Sequence, residues 1–107
     1  MASAYINAKI DLTGTGITVL YTVPSVTTAI VTSILVSEDS GNADTITVTL
    51  TNSAAAVFSL FKVKAVSANA TIELLTRPLV VGEAEILKVT AATGGRLHVV
   101  ASLLELS

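Results

Sequence analysis

The chain carries little that could do chemistry, and the first candidate is its one histidine, His98. A histidine works as a general base or a metal ligand only with partners, such as a second ligand, a nucleophile or an orienting carboxylate. No cysteine and no second histidine is present. No carboxylate pair lies near His98 in sequence, so a structural or interface role is expected for it. Asp39, Asn42 and Asp44 offer the oxygen ligands that calcium takes, but their spacing is not that of an EF-hand loop. They read as a solvated acidic loop that keeps strand edges apart. Gly14-Thr15-Gly16 has no following lysine and no helical pattern after it, so it is a turn and not a phosphate loop. Glu83 and Glu85 read as solvated charges at a strand start. Asn69-Ala70-Thr71 fits the N-glycosylation acceptor pattern, which is short and common by chance. No serine sits in a Gly-x-Ser-x-Gly elbow. The expectation is a chain with no catalytic residue, no cofactor and no metal site, and so not an enzyme.

The elements that would position these residues are short apolar runs between turn formers, the pattern of a sandwich or barrel. Candidate strands are Tyr5 to Leu12, Ile17 to Val23, and Thr28 to Ser37, with Ile30, Ile34 and Val36 assigned to one face. Glu38-Asp39-Ser40-Gly41-Asn42 is the clearest loop. Asp44 to Thr51 alternates with period two: Ile46, Val48 and Leu50 point one way and four threonines the other. Val57 to Val63 and Ala70 to Leu75 follow, and Pro78 belongs in a bend or at an edge because it has no N–H for a ladder. Val80-Val81-Gly82 leads into Glu85 to Ala91. Gly94-Gly95 reads as a hairpin turn, and Arg96 to Leu106 is a long last strand. That strand is apolar on both faces, with Leu97, Val99, Ala101 and Leu103 on one and Val100, Leu104 and Leu106 on the other. A strand apolar on both faces is covered on both. The buried set should include Ile30, Ile34, Val36, Ile46, Val48, Leu50, Ile72, Leu74, Val89 and Val99. The fold expected is all-β: one antiparallel β-sandwich of about eight strands, jelly-roll-like or immunoglobulin-like, forming a single domain over residues 1–107.

Composition bounds the function classes. Hydrophobic residues make up 51% of the 107 and charged residues only 13%, against roughly 25% charged in an average soluble domain. A core of this size cannot hold the whole apolar excess, so part of it should be buried against neighbours. Net charge is −2, and Lys9, Lys62, Lys64, Arg77, Lys88 and Arg96 are scattered, which argues against nucleic acid. Aromatic residues are 4% with no tryptophan, which argues against stacking platforms for sugars or single-stranded nucleic acid. The apolar runs are far shorter than the roughly 18 residues of a membrane helix. Neither a basic n-region nor a long apolar h-region follows Met1, and the lack of cysteine suits assembly in a reducing cytoplasm.

Two stretches carry a resemblance. The first runs Leu20-Tyr21-Thr22-Val23-Pro24, then Thr28 to Val36, a polar turn and the strand Thr45 to Leu50. The second runs Ala70 to Leu75, Pro78-Leu79-Val80-Val81, Ile86 to Val89, Gly94-Gly95 and Ser102-Leu103-Leu104-Glu105-Leu106. From about Leu20 onward this arrangement resembles small virion structural proteins of tailed bacteriophages, although Ser25-Val26 stands where a glycine-containing turn is usual. The resemblance implies a β-sandwich that decorates or cements the capsid, with the major capsid protein as partner, a homotrimeric assembly, and a place on the capsid surface of the virion. Neck, tail or fibre components are the alternative, and a carbohydrate-binding sandwich is the second.

Overall fold

A computed structural model describes residues 3–107 of the chain as nine strands and connecting turns. They are β1 (Ser3–Leu12), β2 (Thr18–Thr22), β3 (Thr28–Glu38), β4 (Asp44–Thr51), β5 (Val57–Val66), β6 (Thr71–Glu73), β7 (Leu79–Val81), β8 (Ile86–Ala91) and β9 (Leu97–Leu106). Their content is rich in Val, Ile and Thr, whose branched side chains suit a pleated surface.

The strands pair as one long antiparallel ribbon. β4 and β5 form its closed end, joined by a turn in which the Asn52 side chain accepts the N–H of Ala54 and of Ala56. Moving away from that end, β3 pairs with β6 and β7, β2 with β8, and β1 with β9. The ribbon then rolls on itself, so that β9 also pairs with β3 and β8 with β4. Two sheets result: sheet A in the order β1-β9-β3-β6, with β7 also on β3, and sheet B in the order β2-β8-β4-β5. This is a jelly roll, and the strand order sets the immunoglobulin-like alternative aside.

Three details differ from the sequence reading, each for a local reason. The strand count is nine and not about eight because the bend at Thr76-Arg77-Pro78 splits one partner of β3 into β6 and β7. Pro78 lies in that bend, where its missing N–H costs nothing. Gly94-Gly95 is not a hairpin turn, since β8 lies in sheet B and β9 in sheet A. It is a corner between sheets, pinned by the Gly95 N–H donating to the Leu12 carbonyl at 2.8 Å. A Cβ on Gly94 would stand 2.5 Å from the Thr13 carbonyl oxygen, so no larger residue fits. The third detail is a bulge in β3 between Val31 and Ser33, which shifts the alternation by one residue. Ala29 and Val31 therefore point inward before it, Ile34 and Val36 after it. Ile30 faces out, against the expectation that it shares a face with Ile34.

The core lies between the sheets. Leu12, Val31, Ile34, Val36, Ile46, Val48, Leu87, Val89, Leu97, Val99 and Leu103 are buried. Leu74 is buried, while Leu50 and Ile72 are half-buried against the same cluster. Each such side chain taken from water contributes about 1.5–3 kcal/mol. The assignment of β9 holds in full: Leu97, Val99, Ala101 and Leu103 fill the core, and Val100, Leu104 and Leu106 lie on the other side.

Candidate interaction surface

The outward side chains of β9 are the centre of a larger apolar face. Cross-strand register sets its rows. Leu104 of β9 stands between Tyr5 of β1 and Ile30 of β3, and Ile30 in turn pairs with Val80 of β7. Farther along, Val100 stands between Lys9 and Leu35. Tyr5 is 90% exposed, Val80 63% and Leu35 39%, so this surface is open and no other described residue covers it. Two shallow hollows run between the rows. One, of about 270 Å³, is bounded by Tyr5, Asn7, Thr32, Ser102 and Leu104. The other, of about 400 Å³, is bounded by Lys9, Asp11, His98 and Val100. Open apolar surface of this extent on a small domain marks a contact site.

The outer face of sheet B is more polar at its centre, although its edge strand β5 exposes Val57, Phe58 and Val63. It presents Thr45, Thr47 and Thr49 from β4 and Lys88 and Thr90 from β8, with Val19 of β2 beside Lys88.

Every one of the eight side-chain carboxylates of the chain has a partner. Glu38 closes β3 and is buried at 2% exposure. It accepts N–H bonds from Ser40, Gly41, Asn42 and Asn69 and the hydroxyl of Ser40. Burial pushes its carboxyl up, and those donors more than reverse the push, holding it at about 2. Glu73 is burdened by burial in the same way and held below the usual range by the Ser33 hydroxyl and the N–H groups of Ile34 and Leu75. Asp44 accepts the Thr93 N–H at 3.1 Å, Glu85 the Gly82 N–H at 2.6 Å, and Glu83 the Val26 N–H. Glu105 accepts the Tyr21 hydroxyl, which burial, that bond and the adjacent charge hold well above the usual range. These groups tie turns and corners together.

The last two carboxylates flank His98. Asp11 Oδ1 lies 3.2 Å from Nε2 and Asp39 Oδ2 lies 3.5 Å from Nδ1. Sequence reasoning missed this pair, since the three residues meet only through the β1–β9 register and the turn after β3. The two oxygens approach opposite edges of the ring, so the three groups do not converge on one ion. Among the described residues no group of three His, Cys, Asp or Glu side chains is arranged to hold a metal. The other residues singled out from sequence also diverge. Asp39 turns to His98, Asn42 donates to the Ser40 carbonyl, and Asp44 turns to Thr93. Glu83, exposed as expected, and the half-buried Glu85 also clasp turns. Glu38 belongs to β3 and not to the loop. Asn69 has φ +57° and donates its N–H to Glu38, which makes it a turn residue.

No family model and no curated protein matches the sequence. Among solved structures, the chain is similar in fold to one in a structure of infectious bursal disease virus, Gx strain, with a TM-score of 0.50 and 12% identity over 96% of this chain and 32% of that one. A chain in a structure of the Gt strain aligns over 98% of this chain and 30% of that one, with a TM-score of 0.42 and 9% identity. The chain thus spans about a third of the length of those chains. The first likeness shows a shared fold: an all-β sandwich of two antiparallel sheets.

Proposed function

We propose that this chain is a structural protein of a virion, of the kind that decorates the capsid of a tailed bacteriophage, and that it binds the shell by packing. The observation that carries the reading is the outer face of sheet A. A surface with apolar side chains from β1, β9, β3 and β7, on a domain with 13% charged residues, is built to be covered. The sequence pattern resembles phage virion proteins, and a chain in a virus structure shares the fold, which supports the same reading. Jelly rolls also occur as lectins, but this face offers Tyr5 as its one aromatic ring, too little for stacking on sugars.

In this reading the major capsid subunit covers Leu104, Val100, Ile30 and Val80. A trimer built on Leu104 and Leu106 would compete for the same side chains, so contacts between copies fall to another surface. Electron microscopy of purified particles carrying a label on this protein tests the assignment. Label distributed over the shell facets supports decoration. Label confined to one vertex assigns the protein to the neck or tail, and unlabelled particles remove the virion reading.

A further inference from the structure

The four lateral edges of the two sheets are not alike. β2 is five residues long with a register shift between Val19 and Tyr21. β6 and β7 are three residues each, interrupted by Pro78. β5 is ten residues long but carries two register shifts, Lys62 and Lys64, and Val63 in the left-handed region at φ +52°. Short strands, bulges, prolines and edge lysines are the devices that stop a sheet from pairing with another chain. β1 has almost none of them. It runs ten residues in unbroken register with β9, without proline, glycine or bulge. Its inner side is also incompletely covered. Ile6, Ala8 and Ile10 are only half-buried, because the strand opposite, β2, is half as long.

We infer that β1 is the contact between two copies of this chain, paired antiparallel about a twofold axis at Asn7. The side chains favour that register. Tyr5 then faces the partner's Lys9, whose stem and charge suit an aromatic ring. Asn7 faces its own copy, and Asp11 faces a serine hydroxyl at position 3. On the inner side Ile6 meets a copy of Ala8 and Ile10 a copy of Ala4, large against small. No like charges are opposed, whereas a shift of two residues along each strand would set Lys9 against its own copy. The contact is isologous, as a closed pair requires. Residues paired across antiparallel strands point to the same side, so the two outer faces of sheet A lie on one side of the dimer, joined across a seam of Ser3, Tyr5, Asn7, Lys9 and Asp11. The inference goes beyond the shell-binding reading and does not depend on it.

Sedimentation of the purified protein over micromolar concentrations tests the pair. The expected result is a reversible dimer. Asn7→Lys, at an exposed position, opposes two positive charges at the axis and should weaken dimerisation about fivefold with an unchanged circular dichroism spectrum. The chain has no cysteine, so Asn7→Cys should link into a disulfide dimer on mild oxidation, because cross-strand Cβ atoms lie within disulfide reach. Lys9→Cys, several residues from its own copy in this register, should not link. A monomer or a trimer throughout the range would overturn the inference. So would a dimer that is indifferent to Asn7→Lys and that links equally well through Lys9→Cys.

Discussion

The two outer faces of the sandwich come from strands of similar composition, yet they differ in kind. On sheet B, β4 alternates with threonines outside, and β8 adds Lys88 and Thr90. On sheet A, β9 is apolar on both sides, and the β3 bulge brings Ile30 out beside Leu104. The central strands of one face end in threonine and lysine, and those of the other in leucine, valine and isoleucine. Burial in the core cannot explain Val80, Leu35 or Tyr5, which are exposed. The difference teaches that a single residue inserted in β3 helps to decide what the centre of the sheet A face presents.

The largest expected effect tests the premise that both sheets share one buried side. Val48→Asp puts an unpaired charge between the sheets, at a cost of several kcal/mol, and should abolish the folded circular dichroism spectrum. A folded, soluble Val48→Asp protein would break the comparison at its root. Next comes the bulge. Ile34→Ala should destabilise by about 2–5 kcal/mol in denaturant unfolding, as a buried truncation does. Ile30→Ala, two turns of the pleat away but on the outer face, should cost well under half of that. Equal costs would mean that Ile30 points inward after all.

A third pair of variants separates the faces by function. Leu104→Glu should change stability by no more than about 1 kcal/mol while weakening attachment to shells about thirtyfold or more, as loss of a central anchor worth about 2 kcal/mol does. Thr49→Glu, on sheet B, should leave attachment unchanged. Particle pull-down with each variant reads both outcomes, and reversed sensitivities would move the contact to sheet B.

Much of this was legible in the sequence. The period of β4, the two apolar faces of β9 and the all-β class follow from residue alternation, because a pleated strand exposes every second side chain. The β3 bulge was not legible, since Ile30 to Ile34 reads as an even run and only pairing with β9 shows the extra residue. The corner at Gly94-Gly95 looks like a hairpin turn for a similar reason: two glycines permit either, and the choice is made by which sheet receives β9. The His98 flanks and the Glu38 clasp depend on contacts across the roll, which no local spacing records.

The smallest expected effect concerns how the carboxylates are employed. Glu38 is held at about 2, below its ordinary range near 4.3. Its contribution to stability is therefore complete above the ordinary value and is lost as pH falls toward 2. Thermal unfolding of Glu38→Gln should show a lower melting temperature than the parent at pH 7, with the gap closing between about pH 4 and pH 2. A gap that persists unchanged at pH 2 would show that charge has no part in the clasp, and would return Glu38 to the pool of solvating groups.

The central claim is that the outer face of sheet A is covered in the working assembly and that of sheet B is not. Single-cysteine labelling tests it most directly, because the chain has no cysteine of its own. Val80→Cys and Val19→Cys place thiols on the two faces at positions that are 63% and 49% exposed. In the free protein both should react with a maleimide. On purified particles the Val80→Cys thiol should slow by about tenfold or more, the protection expected when surface is excluded from solvent at a packed interface, while the Val19→Cys thiol keeps its rate. Equal reactivity of the two on particles, or protection of Val19→Cys alone, would contradict the claim.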